Sequence, residues 1–155
     1  MTDLVLRPVG VVRSPRRDLQ DDDWGSVVSN VELDGTQFAP DAVAGLADFS
    51  HLEVVYQFHL VPPEKVETAA RHPRDRTDWP RVGIFAQRGK GRPNRVGVSR
   101  CRLLGVDGLT LRVQALDAVD GTPVLDVKPW MAEFGPLGDV RQPAWATELM
   151  ARYYR

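Results

Sequence analysis

Two polar loops hold the residues whose types and spacing could do chemistry. The first, residues 87–95, reads QRGKGRPNR and places three arginines and one lysine around Gly89 and Gly91. Glycine allows the backbone to approach a ligand closely, and the neighbouring cations could meet an anion. The order and spacing fit neither the phosphate-binding P-loop nor the GxGxxG dinucleotide motif. The segment is therefore a candidate anion-binding loop outside those two nucleotide-binding classes.

The second loop, residues 117–123, reads DAVDGTP and leads into a strand pattern at residues 124–130. Asp126 and Lys128 are two residues apart on that strand, so their side chains share one face. Their spacing fits an ion pair on an exposed face and a functional pair about equally well. Together with Asp117 and Asp120, they would gather polar groups at one end of a sheet.

Runs of Val, Leu and Ile predict the strands that position these loops. The predicted strands are residues 4–7, 9–13, 27–33, 49–60, 82–86, 96–106, 109–116 and 124–130. Asp107-Gly108, between two of them, is the strongest hairpin signal in the chain. The 13 Gly and 12 Pro favour turns over long helices. We therefore predict one mainly β domain over residues 1–155, a length that can bury a core without disulfides or metals.

Three short helices are predicted beside the strands, at residues 41–46, at residues 62–70 and from Pro143 onward. In the last one, Trp145, Leu149 and Tyr153 recur at positions i, i+4 and i+8. This stripe predicts an amphipathic helix docked on the body of the fold, as part of the core or of a subunit interface.

Three single residues stand out from the strand pattern. Trp24 follows a run of aspartates in a loop, where its ring must be buried or stack on a ligand. Those aspartates lack the EF-hand spacing, which favours a solvated acidic loop over a metal site. His59, at a predicted strand end, fits a structural residue or a catalytic base. Cys101 lies inside a strand pattern and is predicted to be buried and inert.

The charge is unevenly distributed along the chain. The net charge is −1, but 10 of the 20 Lys and Arg residues fall within residues 71–102. Such a segment can neutralise phosphates, or it can form ordinary solvated faces. A single cysteine permits no intramolecular disulfide, and no stretch resembles a signal peptide or a membrane span. We expect a soluble cytoplasmic protein with no membrane partner.

Several motifs occur in a fixed order along the chain. They are VGVVRSP at residues 9–15, GL and FSHL at 45–46 and 49–52, GIFAQR at 83–88, RPN at 92–94, and LD and DGTPVLDVKP at 116–117 and 120–129. The set closely resembles the TsaA-like (TrmO-like) family of small β-barrel, S-adenosylmethionine-dependent methyltransferases. We call the polar segment at residues 16–26, which comes first along the chain, the first loop. Family members often carry Pro-Arg-Gln-Pro-Gly there, whereas this chain has DDWG at residues 22–25, and it has Arg95 where members have a second Pro after RPN.

The resemblance implies a small β-barrel with a few short helices and a C-terminal helix, no Rossmann sheet, and a homodimer. It also implies S-adenosylmethionine as methyl donor and a tRNA as partner, with transfer to N6 of threonylcarbamoyl-adenosine next to the anticodon. Carried over by position, the donor site comprises Asp22, Asp23, Trp24, His59, Leu60, Arg88, Val98, Ala115, Leu116 and Asp117.

Four further residues are candidates for the acceptor side of this reaction. Methyl transfer from a sulfonium is an in-line displacement, so the protein must chiefly align the reactants and exclude water. We expect Arg92, together with Arg88, to position a phosphate or a carboxylate of the acceptor. Asn94 would present its amide to the base or stabilise the RPN turn. The remaining two, Asp126 and Lys128, would orient the acceptor or manage its proton.

Two other functions stay open on the sequence. One is methyl transfer to another RNA, a protein or a small molecule. The other is a non-catalytic RNA-binding barrel, which would bind RNA in a salt-dependent way without binding the methyl donor.

Overall fold

Alternating apolar and polar residues form the strands of the computed structural model, which describes residues 1–155. The strands are β1 (Gly10–Arg13), β2 (Val28–Leu33), β3 (His51–Gln57), β4 (Ala70–Arg71), β5 (Val82–Gly83), β6 (Val96–Asp107), β7 (Thr110–Gln114) and β8 (Pro123–Pro129). Six of them close into a barrel in the order β1-β2-β7-β6-β3-β8, and β4 pairs with β5. All of the pairings are antiparallel. The mainly β barrel expected from the sequence is confirmed, and it contains no Rossmann sheet.

Strand β3 organises the outer face of the barrel, because it pairs with β6 on one side and with β8 on the other. Its Glu53 lies opposite Arg100 and Lys128. The next row along the same face consists of Val98, Val55 and Asp126. Directly paired residues project to the same side of a sheet. The strand therefore brings Asp126 and Lys128 into line with residues of β6.

The inner face of the barrel forms the core. Eleven buried residues pack there: Val12, Val31, Leu52, Val54, Tyr56, Cys101, Leu111, Val113, Leu116, Ala118 and Val124. Full burial of a Val or Leu side chain contributes about 1.5–3 kcal/mol. Cys101 is buried among them, as predicted, and burial raises the pKa of its thiol to about 12.

Several predicted elements are shorter than the sequence suggested. Residues 4–7 lie outside any strand. The predicted helix at 62–70 is wrong, because only Pro63–Lys65 forms a 3-10 turn. Just beyond it, the Glu67 carboxylate accepts hydrogen bonds from the backbone N–H groups of Thr68 and Ala69 at 3.0 and 2.7 Å. Such local bonds compete with helical ones.

Two other predicted elements break up into short pieces. The predicted strand at 82–86 stops at Gly83, and a 3-10 turn over Ile84–Ala86 follows. The predicted helical turns at 41–46 are the 3-10 helices Pro40–Val43 and Leu46–Asp48. Further 3-10 turns occupy Pro73–Asp75, Pro93–Arg95 and Ala132–Phe134.

The C-terminal helix, α1 (Ala144–Met150), contacts the loop at residues 72–80. The Trp79 indole N–H donates to the Glu148 carboxylate at 2.8 Å. Trp145 and Leu149 are half-buried, and Tyr153 lies in a turn beyond the helix end. No helix of the structure combines the length and the apolar character needed to cross a membrane.

Candidate active site

The centre of the candidate site is the end of strand β7, where the chain turns inward. Ala115 has a left-handed backbone with φ of 67°, and its N–H donates to the Val27 carbonyl at 2.9 Å. The turn places Leu116 in the core, fully buried, and brings the Asp117 carboxylate to the rim of the barrel. Ala115, Leu116 and Asp117 are thus positioned by one backbone feature.

Three hydroxyl groups from distant segments donate to the Asp117 carboxylate. Tyr56 of β3 reaches Oδ1 at 3.1 Å, Ser99 of β6 also reaches Oδ1, and Tyr153 reaches Oδ2. Burial, reinforced by the Asp117 charge, raises the pKa of Tyr56 and of Tyr153 well above the ordinary value. Both phenols therefore remain protonated donors at neutral pH, and they hold the carboxylate in one orientation.

A small cavity lies beside this cluster, lined by Trp24, His59, Leu60 and Asp117 among others. Its volume is about 20 Å³, which is room for about one water molecule. Burial lowers the pKa of His59, so its ring is neutral at neutral pH. The Trp24 indole nitrogen is buried without a hydrogen-bond partner.

A larger, open cleft of about 410 Å³ lies on the outer face of the barrel. It is lined by Glu53, Arg88, Val98, Ser99, Arg100 and Tyr154. The Arg88 guanidinium donates to the Val98 carbonyl at 2.8 Å, which fixes its position at the edge of β6. Ser99 lines this cleft and also binds Asp117. Six of the ten donor-site residues of the sequence analysis line these two cavities: Trp24, His59, Leu60 and Asp117 line the first, and Arg88 and Val98 line the second.

The first loop places its aspartates against cations rather than in the cavity. Asp22 accepts two hydrogen bonds from the Arg74 guanidinium, at 3.0 and 3.3 Å. Asp21 pairs with Lys90 at 2.9 Å. The backbone carbonyls of Asp22 and Asp23 accept from Arg16, whose guanidinium also lies 4.1 Å from the centre of the buried Trp24 ring. The loop is thus held by charge pairs, and its Leu19, Gln20 and Trp24 line the small cavity.

The basic loop at residues 87–95 differs from its prediction in one respect. The close approach permitted by Gly89 and Gly91 is made by the chain itself: a Cβ at Gly91 would lie 2.7 Å from the Lys65 carbonyl oxygen, and one at Gly89 3.1 Å from the Arg71 guanidinium. Arg92 donates to the Gln87 carbonyl at 2.6 Å. Asn94 is exposed, with a left-handed φ of 61° in the RPN turn.

The loop at residues 117–123 and the strand that follows it, β8, hold both structural and exposed polar groups. Asp120 accepts the backbone N–H of Ser14 at 3.0 Å, so it joins the loop to β1 instead of pointing to a ligand. Asp126 and Lys128 form an ion pair at 3.0 Å, with side chains 50% and 63% exposed. They lie on the outer face beside Glu53, a residue of the open cleft.

Comparison with known proteins identifies the family. Residues 13–135 match the model of the tRNA-methyltransferase O N-terminal domain. The chain belongs to this family. It is 39% identical over 135 residues to a probable S-adenosyl-L-methionine-binding protein of Methanothermobacter thermautotrophicus. The match covers 86% of this chain and 94% of that protein.

Two better-described relatives of the family are longer. The tRNA (adenine(37)-N6)-methyltransferase of Escherichia coli is 34% identical over 140 residues, covering 84% of this chain and 59% of that enzyme. The crystal structure of TrmO from Pseudomonas aeruginosa is similar with a TM-score of 0.72 at 27% identity, covering 90% of this chain and 61% of that one. The chain therefore spans about three-fifths of the length of these two relatives.

Sequence reasoning missed the hydroxyl groups that surround Asp117. Tyr56 and Ser99 meet only because β3 and β6 pair in one register, which the sequence does not give. The sequence pattern predicts Tyr153 only as a packing residue of an amphipathic helix, whereas its hydroxyl donates to Asp117. The one available signal was its position beyond the i, i+4 pair of Trp145 and Leu149, in a chain end rich in tyrosine.

Proposed function

We propose that this protein is an S-adenosylmethionine-dependent methyltransferase that methylates N6 of threonylcarbamoyl-adenosine next to the anticodon of a tRNA. The observation that carries the proposal is the convergence on Asp117. Segments far apart in the chain, which the resemblance assigns to the methyl donor, surround that carboxylate and the cleft beside it. The similarity to a probable S-adenosyl-L-methionine-binding protein over nearly its whole length supports the same donor.

The residues around Asp117 fit a donor of this kind. The buried Trp24 indole N–H lacks an acceptor, which a polar ligand in its cavity would supply. When bound, S-adenosylmethionine supplies a methyl group activated by a sulfonium. The proposed role of Asp117 is to accept hydrogen bonds from the donor, while the backbone near Leu116 and the ring of Trp24 exclude water.

The basic residues suit the acceptor. Arg88 and Arg92 would bind a tRNA phosphate or the carboxylate of the threonylcarbamoyl group by charge-assisted hydrogen bonds. Asp126 and Lys128 lie on the outer face next to the open cleft, where both would orient the acceptor and the Asp126 carboxylate would accept its N6 proton. Asn94, exposed in the RPN turn, would contact the base.

We further propose that the protein works as a cytoplasmic homodimer. The cleft beside Arg88 is open to solvent in the single chain, and a second copy could close it. Light scattering of the purified protein should then give about twice the mass of one chain, 17.3 kDa.

The test is a methyl-transfer assay with labelled S-adenosylmethionine and tRNA, followed by mass spectrometry of the nucleosides. We expect label in threonylcarbamoyl-adenosine. Label in another nucleoside would move the activity to another RNA substrate, and salt-dependent RNA binding without donor binding would favour the non-catalytic barrel. Arg92→Ala should reduce methyl transfer more than donor affinity, and unchanged turnover would remove its assigned role.

A further inference from the structure

The last four residues, 152–155, lie on the proposed donor site; we call them the C-terminal tail. The backbone N–H of Asp23 donates to the Arg152 carbonyl at 3.0 Å, and that of Trp24 donates to the Tyr153 carbonyl at 2.8 Å. Both N–H groups belong to the loop that the family resemblance assigns to the methyl donor. The tail therefore occupies polar groups that a ligand of this loop would use.

The tail also donates a hydrogen bond to the Asp117 carboxylate. A carboxylate offers about four lone-pair positions. Tyr56 and Ser99, on strands of the barrel, donate to Oδ1, and Tyr153 of the tail donates to Oδ2. The oxygen that the barrel leaves free is thus bound by the tail.

Tyr154 extends the contact to the outer cleft. Its side chain lines the cleft together with Arg88 and Val98, two more residues assigned to the donor. Its backbone carbonyl oxygen lies so close to Gly25 that a Cβ there would collide with it. The tail therefore contacts the first loop, the Asp117 strand end and the Arg88 cleft at the same time.

The small cavity beside Asp117 cannot hold the proposed donor while the tail is docked. The cavity lined by Trp24, His59 and Asp117 holds about 20 Å³, whereas pockets for ligands of this size measure about 300–1,000 Å³. The tail has one residue at each cavity: Tyr153 binds Asp117, which lines the small cavity, and Tyr154 lines the Arg88 cleft. A ligand that used Asp117 and the Arg88 cleft together would compete with both tyrosines.

We propose that docking of the C-terminal tail and binding of the methyl donor are mutually exclusive, so that the tail is a strap that must leave Asp117 before the donor enters. This rests on the proposed function. Release is local, because the helix before the tail contributes no buried residue.

Donor affinity should therefore rise when the tail is removed. The apparent dissociation constant of a site that is open only part of the time is increased by the reciprocal of the open fraction, so a tail docked nine-tenths of the time weakens binding about tenfold. Calorimetric titration with S-adenosylmethionine compares the full chain with a variant lacking residues 152–155. We expect about five- to tenfold tighter binding by the shortened chain, after a thermal melt has shown that it is folded.

Two companion variants leave the chain length unchanged. Gly25→Ala should displace the tail through the collision with the Tyr154 carbonyl, and Tyr153→Phe removes only the hydroxyl that binds Asp117. Both variants should bind the donor more tightly than the wild-type protein does, and the gain should be smaller for Tyr153→Phe. In the wild-type protein, saturating S-adenosylmethionine should accelerate trypsin cleavage after Arg152.

The titrations distinguish failure of the strap from failure of the proposed function. If the full chain binds the donor and the shortened, folded chain binds it equally or more weakly, the tail is a wall of the site and the strap is excluded, while the proposed function stands. If neither chain binds the donor, the proposed function fails and the strap fails with it.

Discussion

Asp117 and Asp126 are nine positions apart in the chain, and the fold places them in opposite surroundings. Asp117 receives hydroxyl donors from Tyr56, Ser99 and Tyr153, which lie on three separate segments. Asp126 is half-exposed and pairs with Lys128, two residues away on its own strand. The Asp117 cluster exists only when the barrel and the C-terminus are assembled, whereas the Asp126 pair is a local feature of one strand.

The difference shows which polar group the fold is built to hold. An exposed ion pair typically contributes about 0–1 kcal/mol. A part-buried carboxylate needs its hydrogen bonds, since a buried polar group left without a partner costs about 1–3 kcal/mol. The fold therefore holds Asp117 in place, whereas the Asp126 pair is a solvated surface feature; in the proposed function, the first belongs to the donor site and the second to the acceptor side.

The largest loss of stability should follow from truncating Leu116, the buried residue that precedes Asp117. Leu116 is fully buried next to it, so Leu116→Ala should lower the free energy of unfolding by about 2–5 kcal/mol. Denaturant unfolding measures this loss. Leu104→Ala, at a side chain that is 41% exposed, is the control and should cost far less. Equal losses would mean that the strand end is not anchored in the core.

A smaller loss should follow from removing one hydroxyl of the cluster. Tyr56→Phe deletes a donor to Asp117 while keeping the ring, and should destabilise the protein by about 1–2 kcal/mol. The control is Ser50→Ala, which removes an exposed hydroxyl bound to the neighbouring His51 ring. A neutral Tyr56→Phe would show that Asp117 does not depend on this donor.

The Asp126 and Lys128 pair should contribute little to stability. A double-mutant cycle with Asp126→Asn and Lys128→Met should give a coupling energy below about 1 kcal/mol, because both side chains are at least half exposed. A coupling of several kcal/mol would place the pair on a par with the Asp117 cluster and remove the contrast between them.

The smallest effect concerns pH and the cavity beside Asp117. Burial lowers the pKa of His59 below its usual 6.5, so the unfolded chain binds more protons than the native protein around that value. This contribution to stability is present above pH 6.5 and is lost as the pH falls through 6.5 toward the native pKa. The free energy of unfolding, measured from pH 7.5 to pH 5.5, should decline less in His59→Gln than in the wild type, and identical profiles would argue against a lowered pKa of His59 in the native protein.

The sequence predicted the scaffold better than the site. Alternating residues located most of the barrel strands, and Asp107-Gly108 does join β6 to β7, with Gly108 at a φ of 55°. Helix propensity predicted the wrong structure at residues 62–70, where the backbone donates hydrogen bonds to the Glu67 side chain instead of forming a helix. It also could not predict the Asp117 cluster, because strand register and the docking of the chain end are long-range features.

Asp117 lies in the methyl-donor site if the proposed function is right. Calorimetric titration of the wild-type protein, Asp117→Asn and Asp126→Asn with S-adenosylmethionine addresses this. We expect measurable binding by the wild type, a loss of about tenfold or more in Asp117→Asn, and donor affinity within about twofold of wild type in Asp126→Asn, whose defect should appear in methyl transfer instead. Full donor affinity in a folded Asp117→Asn protein would contradict the central claim.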